Sequence, residues 1–293
     1  MKKIVEPEIL RLIGFWVFIS LISACSMQST NELLSHATKT EAQLINPAIV
    51  SNAKPDNYGW TLKFQDLGET PWHDNWFLDG RVGKVTNTNK GIKLEAGLEV
   101  KNDAHHLVLW TKQEFSGDIK IEYDFTKIDD EHKMVNILFI QASGIGEFEP
   151  DITKWNHQRQ VPSMKFYFER MKLLHISYAA YDQNNTQPEN DYVRARVYPL
   201  HPTQGFKGME VPPSYFKTGL FRKDVTYKIT VVKTDGQLSF SVLEKGQPTS
   251  KEKVFTWALP ERGQVEQGRI GLRQMFTRNS VYNNFRVYTK TAR

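Results

Sequence analysis

Along Tyr192–Tyr198, Arg194, Arg196 and Tyr198 alternate with Val193, Ala195 and Val197. In an extended chain that alternation displays two guanidiniums and a phenol on one face. Planar cations held this way suit carboxylates or sulfates, which they can grip through two parallel hydrogen bonds. Leu173–Tyr181 sorts in the same manner, with His175, Ser177, Ala179 and Tyr181 on one surface and Leu174, Ile176, Tyr178 and Ala180 on the other. Gln141 ends an otherwise apolar run beside Ser143 and Gly144, and Arg273 with Gln274 interrupts Ile270–Met275. These polar groups stand where apolar side chains would pack better.

Other chemistries leave fainter marks. The chain has no Gly-x-Ser-x-Gly elbow and no His-Glu-x-x-His zinc helix. Glu122 and Asp124 have the spacing of a glycosidase carboxylate pair, but Lys120 precedes them and no aromatic residue accompanies them, so they read first as a solvated strand face. Adjacent strand residues point oppositely, so at most one of His105 and His106 could reach a metal. Asp129-Asp130-Glu131 reads as an exposed acidic turn before a structural calcium site, and no cofactor is expected. Trp72, Trp76 and Trp110 have the rings to stack on sugars, although tryptophan in a sandwich more often fills the core.

The elements that must carry these side chains are strands. In Ile119–Phe125 the apolar residues Ile119, Ile121, Tyr123 and Phe125 alternate with Lys120, Glu122 and Asp124. Val225–Lys233 and Gln237–Leu243 flank Asp235-Gly236, a hairpin signal. Val135–Ile140 is apolar throughout, which predicts a central strand covered on both sides. Further strands are expected at His106–Thr111, Lys165–Phe168, Leu173–Ala180, Tyr192–Tyr198, Arg269–Met275 and Asn283–Tyr288. Long polar loops are expected at Gly144–Pro162, Asp182–Asp191 and His201–Lys217. About ten to fourteen short strands without interleaved helices predict an all-β, two-sheet sandwich of the jelly-roll type.

The chain has 293 residues, 40% of them hydrophobic, enough for one large domain. A charge of +5, without basic runs, argues against a dedicated nucleic-acid binder. The single cysteine rules out an intramolecular disulfide and Cys-based metal centres. Residues 1–24 read as a leader: Lys2, Lys3 and Arg11 precede an uncharged stretch from Leu12 to Ala24, too short to span a bilayer. Ile22-Ser-Ala-Cys25 has the form of a bacterial lipoprotein box, which makes Cys25 the lipidated first residue of a protein held at the cell outer membrane. Residues 25–56 then form a polar tether and 57–293 the functional domain. Export disfavours ATP-driven or nicotinamide chemistry and leaves hydrolysis, elimination and binding.

Three stretches together, His105–Trp110 followed by Glu114-Phe115 and Ile121–Phe125, then Leu174–Tyr178, then Gly268–Met275 leading to Tyr282–Phe285, resemble the bacterial YesU-like family of unknown function. The resemblance runs from about Trp60 to Tyr288. It implies a concanavalin A-like sandwich and a place among polysaccharide-degrading systems, as a lyase. It also implies site residues: His175, Tyr178 and Arg194 in its His-Ile-Ser-Tyr and Leu-Arg segments, and Arg273 and Gln274 in Gly-Leu-Arg-Gln-Met. His106, Trp110, Gln141 and Arg196 are further expected substrate contacts.

A uronate lyase removes the proton at C5, α to a carboxylate, while a group departs from C4. The carboxylate must be neutralised, and a base and an acid must reach C5 and the leaving oxygen. His175 supplies a base, Tyr178 or Tyr181 an acid, and Arg194, Arg273 or Gln141 a carboxylate clamp. Strand alternation favours Tyr181 over Tyr178 unless a bulge intervenes. A glycosidic leaving oxygen makes a polysaccharide lyase, and a free C4 hydroxyl an oligosaccharide dehydratase. The expected partner is an acidic, uronate-rich glycan of the sulfated ulvan kind. The alternatives are a non-catalytic surface glycan binder using Trp72, Trp76 or Tyr181, and a hydrolase using Glu122 and Asp124.

Overall fold

The computed structural model describes residues 54–290. The leader, most of the tether and Cys25 lie outside the described residues. The chain runs through β1 (Trp60–Asp66), α1 (Trp72–Asn75), β2 (Trp76–Asp79), β3 (Lys84–Thr88), β4 (Gly91–Glu95), β5 (Leu107–Thr111) and β6 (Phe115–Ser116). It continues through β7 (Ile119–Lys127), β8 (Asn136–Gly144), α2 (Met164–Arg170), β9 (Met171–Ala180), β10 (Tyr192–Tyr198) and β11 (Glu210–Phe216). The remainder is β12 (Thr226–Thr234), β13 (Gln237–Glu244), β14 (Lys253–Ala258), β15 (Gln267–Gln274) and β16 (Asn279–Lys290).

Two antiparallel sheets form. The first has the order β14-β13-β12-β7-β16-β4-β3, with β1 also on β16, and the second β11-β10-β9-β8-β15-β5-β2, with β6 on β15. This is the all-β, jelly-roll sandwich that the alternation predicts. Gly236 takes a positive φ of 76° in the turn between β12 and β13, the conformation the Asp-Gly signal supplies.

Alternating residues of the second sheet enter two separate cores. Leu107, Leu109, Leu138, Ile140, Leu174 and Ile176 face the first sheet and form the inter-sheet core with Ile121, Phe125 and Val231. Val108, Trp110, Ile137, Phe139, Leu173 and Tyr198 face the other way, into a second core closed by Ile152, Trp155, Tyr167 and Met209. The excursion between β8 and β9 supplies most of that cover, so β8 is buried on both faces and needs its unbroken apolar run.

Two local expectations are corrected. Lys165–Phe168 lies in α2, because Ser163 Oγ accepts from the Phe166 N–H and starts a helical turn before the chain enters β9. His201–Lys217 is not all loop, since β11 pairs along β10 and its register shifts between Val211 and Tyr215, around Pro212-Pro213.

Candidate functional site on the outer face of the second sheet

The sheet register lines up side chains from distant parts of the chain. One row crosses the sheet as Phe77, Trp110, Gly271, Phe139, His175 and Arg196. The next holds Asp79, Val108, Arg273, Ile137, Ser177 and Arg194. Both rows face the second core. Gly271 is required in the first, because a Cβ there would lie 2.6 Å from the Trp110 ring.

His175 is the centre of the first row. Its Nδ1 lies 2.9 Å from Tyr198 Oη and its Nε2 2.7 Å from Ser177 Oγ. Burial first, then the guanidiniums of Arg196, Arg273 and Arg194, hold the imidazole well below the ordinary histidine range, so it is neutral at neutral pH. Burial pushes the Tyr198 phenol up, with Arg196 and Arg273 opposing, so it keeps its proton. A protonated phenol donating to Nδ1 leaves Nε2–H to donate to Ser177 Oγ. The Phe139 ring meets the imidazole edge-on with centroids 5.7 Å apart.

Two buried guanidiniums flank this pair without an acid. Arg273 Nη2 donates to Pro162 O at 2.5 Å and to His106 Nδ1 at 3.0 Å, while its Nε and Nη1 have no acceptor. Its guanidinium lies 4.9 Å from the Tyr167 ring centroid. Arg196 is 8% exposed, sits over Phe206 at 4.7 Å, and its Nε also lacks an acceptor. Among the described residues neither arginine belongs to an ion pair of 4.0 Å or less. Burial lowers both guanidinium pKa values, opposed by Tyr192, Tyr198 and Glu210 at Arg196 and by Tyr167, Tyr198, Asp103 and Asp79 at Arg273. His106, stacked on Phe276, is pushed down to about 3 by burial and by Arg273.

Asp79 anchors the far end. Its Oδ2 accepts from Trp110 Nε1 at 2.7 Å, Arg159 Nε at 2.6 Å and Tyr167 Oη at 2.7 Å, and its Oδ1 accepts from Asn156 Nδ2. This carboxylate ties the covering excursion to the sheet. Arg194 is the outermost member: its Nε donates to Ser214 Oγ at 2.8 Å and lies 3.4 Å from Glu210 Oε2.

The fold therefore brings His175, Arg194, Arg196, Arg273, Trp110 and His106 to one face. It does not bring Tyr178, Tyr181, Gln141 or Gln274 there. Tyr178 lies in the inter-sheet core with its hydroxyl 3.1 Å from that of Tyr282, on the side its strand parity dictates. Tyr181 leaves the expected face because Ala179 takes φ 45° and the register against β10 shifts nearby, and its ring packs against His132. Gln141, itself at φ 51°, donates from Nε2 to the carbonyls of Phe115 and Gly117 beside a cleft of about 540 Å³ lined by Asp118, Lys233 and Glu266. Gln274 faces the first sheet, level with Asn136. Sequence reasoning missed Tyr198 as the phenol and Asp79 as the anchor; the parity of Tyr198 with Arg196 was the available signal.

The residues of the other expectations have structural partners. Trp76 is core, with Nε1 donating to Asp66. Trp72 packs partly buried against the same core. Asp124 accepts from Lys245 and Asn284, and Glu122 accepts from Tyr288, on the outer side of the first sheet. Asp129 accepts from Arg278 and from the N–H groups of Glu131 and Asn279, and Lys127 pairs with it. Among the described residues no group of three His, Cys, Asp or Glu side chains is arranged to hold a metal ion.

Comparison with known proteins places this geometry. The family profile described as "Domain of unknown function (DUF1961)" matches residues 66–287. A curated relative, "Uncharacterized protein YesU" of Bacillus subtilis (strain 168), is 25% identical over 234 residues, covering 75% of this chain and 91% of that protein. A crystal structure of a Bacillus subtilis protein of unknown function with a galectin-like fold superposes with a TM-score of 0.58 at 18% identity, covering 79% of this chain and 97% of that one.

Proposed function

This chain belongs to the DUF1961 family, and from its outer-face cluster we propose that it is a carbon–oxygen lyase performing β-elimination across C4–C5 of uronic acid residues in acidic glycans. The observation that carries the reading is the pair of buried guanidiniums, Arg196 and Arg273, that have no acidic partner and flank the His175–Tyr198 hydrogen bond. A substrate carboxylate supplies the missing anion.

The step balances with the groups present. Arg196 binds the carboxylate and stabilises the charge that develops as C5 loses its proton. As the Tyr198 O–H turns from His175 Nδ1 to the departing oxygen, the C5 proton passes to the lone pair freed on Nδ1, the C5–H electron pair becomes the C4=C5 double bond, and the C4–O bond breaks. Tyr198 gives its proton to the departing oxygen, which leaves as a sugar hydroxyl or as water. The imidazolium then returns a proton to the phenolate across their 2.9 Å contact, resetting the site. Carboxylate binding also removes part of the positive field that weakens His175 as a base, so the base strengthens when substrate arrives. Attachment at the outer membrane through Cys25 and a uronate-rich, sulfated glycan as partner belong to the same proposal.

Incubation with uronate oligosaccharides and ultraviolet detection of the unsaturated product tests it. His175→Ala and Tyr198→Phe should each lower kcat at least about 100-fold while the thermal transition stays cooperative. Wild-type turnover in either variant removes that residue, and no unsaturated product with any uronate class removes the lyase. The near-complete burial of His175 and Tyr198 favours a second reading, a glycan-binding protein that leaves its ligand unchanged, for which saturable binding without a new product is the outcome.

A further inference from the structure

Beyond the buried cluster, the outer face of β10 continues to the sheet edge as a line of alternating aromatic rings and guanidiniums. The Arg194 guanidinium lies 4.6 Å from the Tyr192 ring and 5.7 Å from the Phe216 ring, and that of Arg196 lies 4.7 Å from Phe206. Phe216 is 62% exposed and Phe206 48%, both large for aromatic side chains on a folded surface. Each ring touches the rim of the second core on one side only, Phe206 meeting Phe168 edge-on at 5.8 Å and Phe216 lying 6.2 Å from the Tyr192 ring, and leaves much of its surface to solvent. From Tyr192 to Tyr198 the strand advances roughly 20 Å, long enough for several linked sugar rings.

We propose that Phe206 and Phe216, with Arg194 between them, form an outer subsite that binds the sugar units next to the one held at His175. The occupant is a continuation of the same acidic glycan chain, which offers both features: pyranose faces that stack on exposed rings, and an anion for Arg194. Glu210 fits this role as an internal stand-in. It accepts from Ser214 Oγ at 2.6 Å and lies 3.4 Å from Arg194 Nε, occupying the cation until a substrate anion displaces it. Ser214 reaches Arg194 only because β11 bulges around Pro212-Pro213.

This inference rests on the glycan reading above, and binding by chain length separates the two. The probes are the disaccharide and hexasaccharide of oligogalacturonate, alginate and chondroitin, titrated calorimetrically against wild type, Phe206→Ala, Phe216→Ala and Arg196→Ala. Wild type should bind one hexasaccharide more tightly than its disaccharide. Each phenylalanine variant should weaken the hexasaccharide about five- to tenfold and leave the disaccharide within twofold, while Arg196→Ala weakens both. Hexasaccharide binding unchanged in both phenylalanine variants, with the Arg196 effect intact, overturns the outer subsite and leaves the cluster standing. Equal losses for both lengths in the phenylalanine variants also overturn it. No binding of any probe to wild type overturns both proposals.

Discussion

Leu174 and His175 are consecutive on β9 and occupy different solvents. Leu174 belongs to the core between the sheets, where the neighbouring residues of β5, β8 and β10 that face the same way, from Leu107 to Leu109, Asn136 to Ile140 and Val193 to Val197, are uncharged. His175 belongs to the opposite core, where Asp79, Arg159, Arg196 and Arg273 lie buried among Trp110, Phe139 and Tyr167. The same strands build both faces, so the scaffold does not account for the contrast. Hydrocarbon in place of Arg196 and Arg273 would pack without leaving guanidinium N–H groups unmatched. The comparison teaches that one face of the second sheet is built for folding, and the other keeps charge there in spite of it.

Three measurements sharpen or break that contrast. The largest effect belongs to the apolar face: Leu174→Ala should lower unfolding free energy by about 2–5 kcal/mol in chemical denaturation, through a cavity between the sheets. A loss below 1 kcal/mol would mean that this core is looser than its burial indicates. The charged face should instead answer to acid. His106, held down to about 3, and His175, held well below its ordinary value, stay neutral when folded and protonate near pH 6.5 when unfolded. The unfolded state therefore binds more protons below that pH. Stability is fully present above about pH 6.5 and falls as pH drops toward the folded values, by up to about 1.4 kcal/mol per pH unit for each histidine. A flat profile between pH 6.5 and 5 would contradict the buried, neutral assignment. The smallest effect is the most telling: Arg196→Met should leave the thermal midpoint equal to wild type or slightly above it, while abolishing uronate binding. A clear drop in midpoint would make Arg196 a structural residue.

Much of the sandwich could be read from alternation, because a buried face imposes period two on any strand that lines it. Ile119–Phe125 and the Asp235-Gly236 hairpin show this directly. Lys165–Phe168 misled because four residues are too few to distinguish a strand from a capped turn of helix. In the site, parity grouped His175 with Ser177, and Arg194 with Arg196 and Tyr198, but only pairing between strands shows that Tyr198 meets His175. Register is a property of two strands at once and neither sequence segment contains it. Tyr181 was misplaced for a different reason: the positive φ at Ala179 breaks the parity, and nothing in an alanine announces such a bend. Asp79, far upstream on β2, was invisible because its partners arrive from β5, the excursion and α2.

The excursion that covers the second core begins and ends almost at the same point. The Ile145 N–H donates to Arg170 O at 3.1 Å, just past the end of β8 and just before the start of β9. A segment pinched at its base can be exchanged for one of another length while the strands on either side keep their pairing. The cover over the second core can thus diverge among descendants of one ancestor at a different pace from the frame beneath it. Any exchange of residues 145–170 must still supply an apolar cover for the second core and donors for the Asp79 carboxylate.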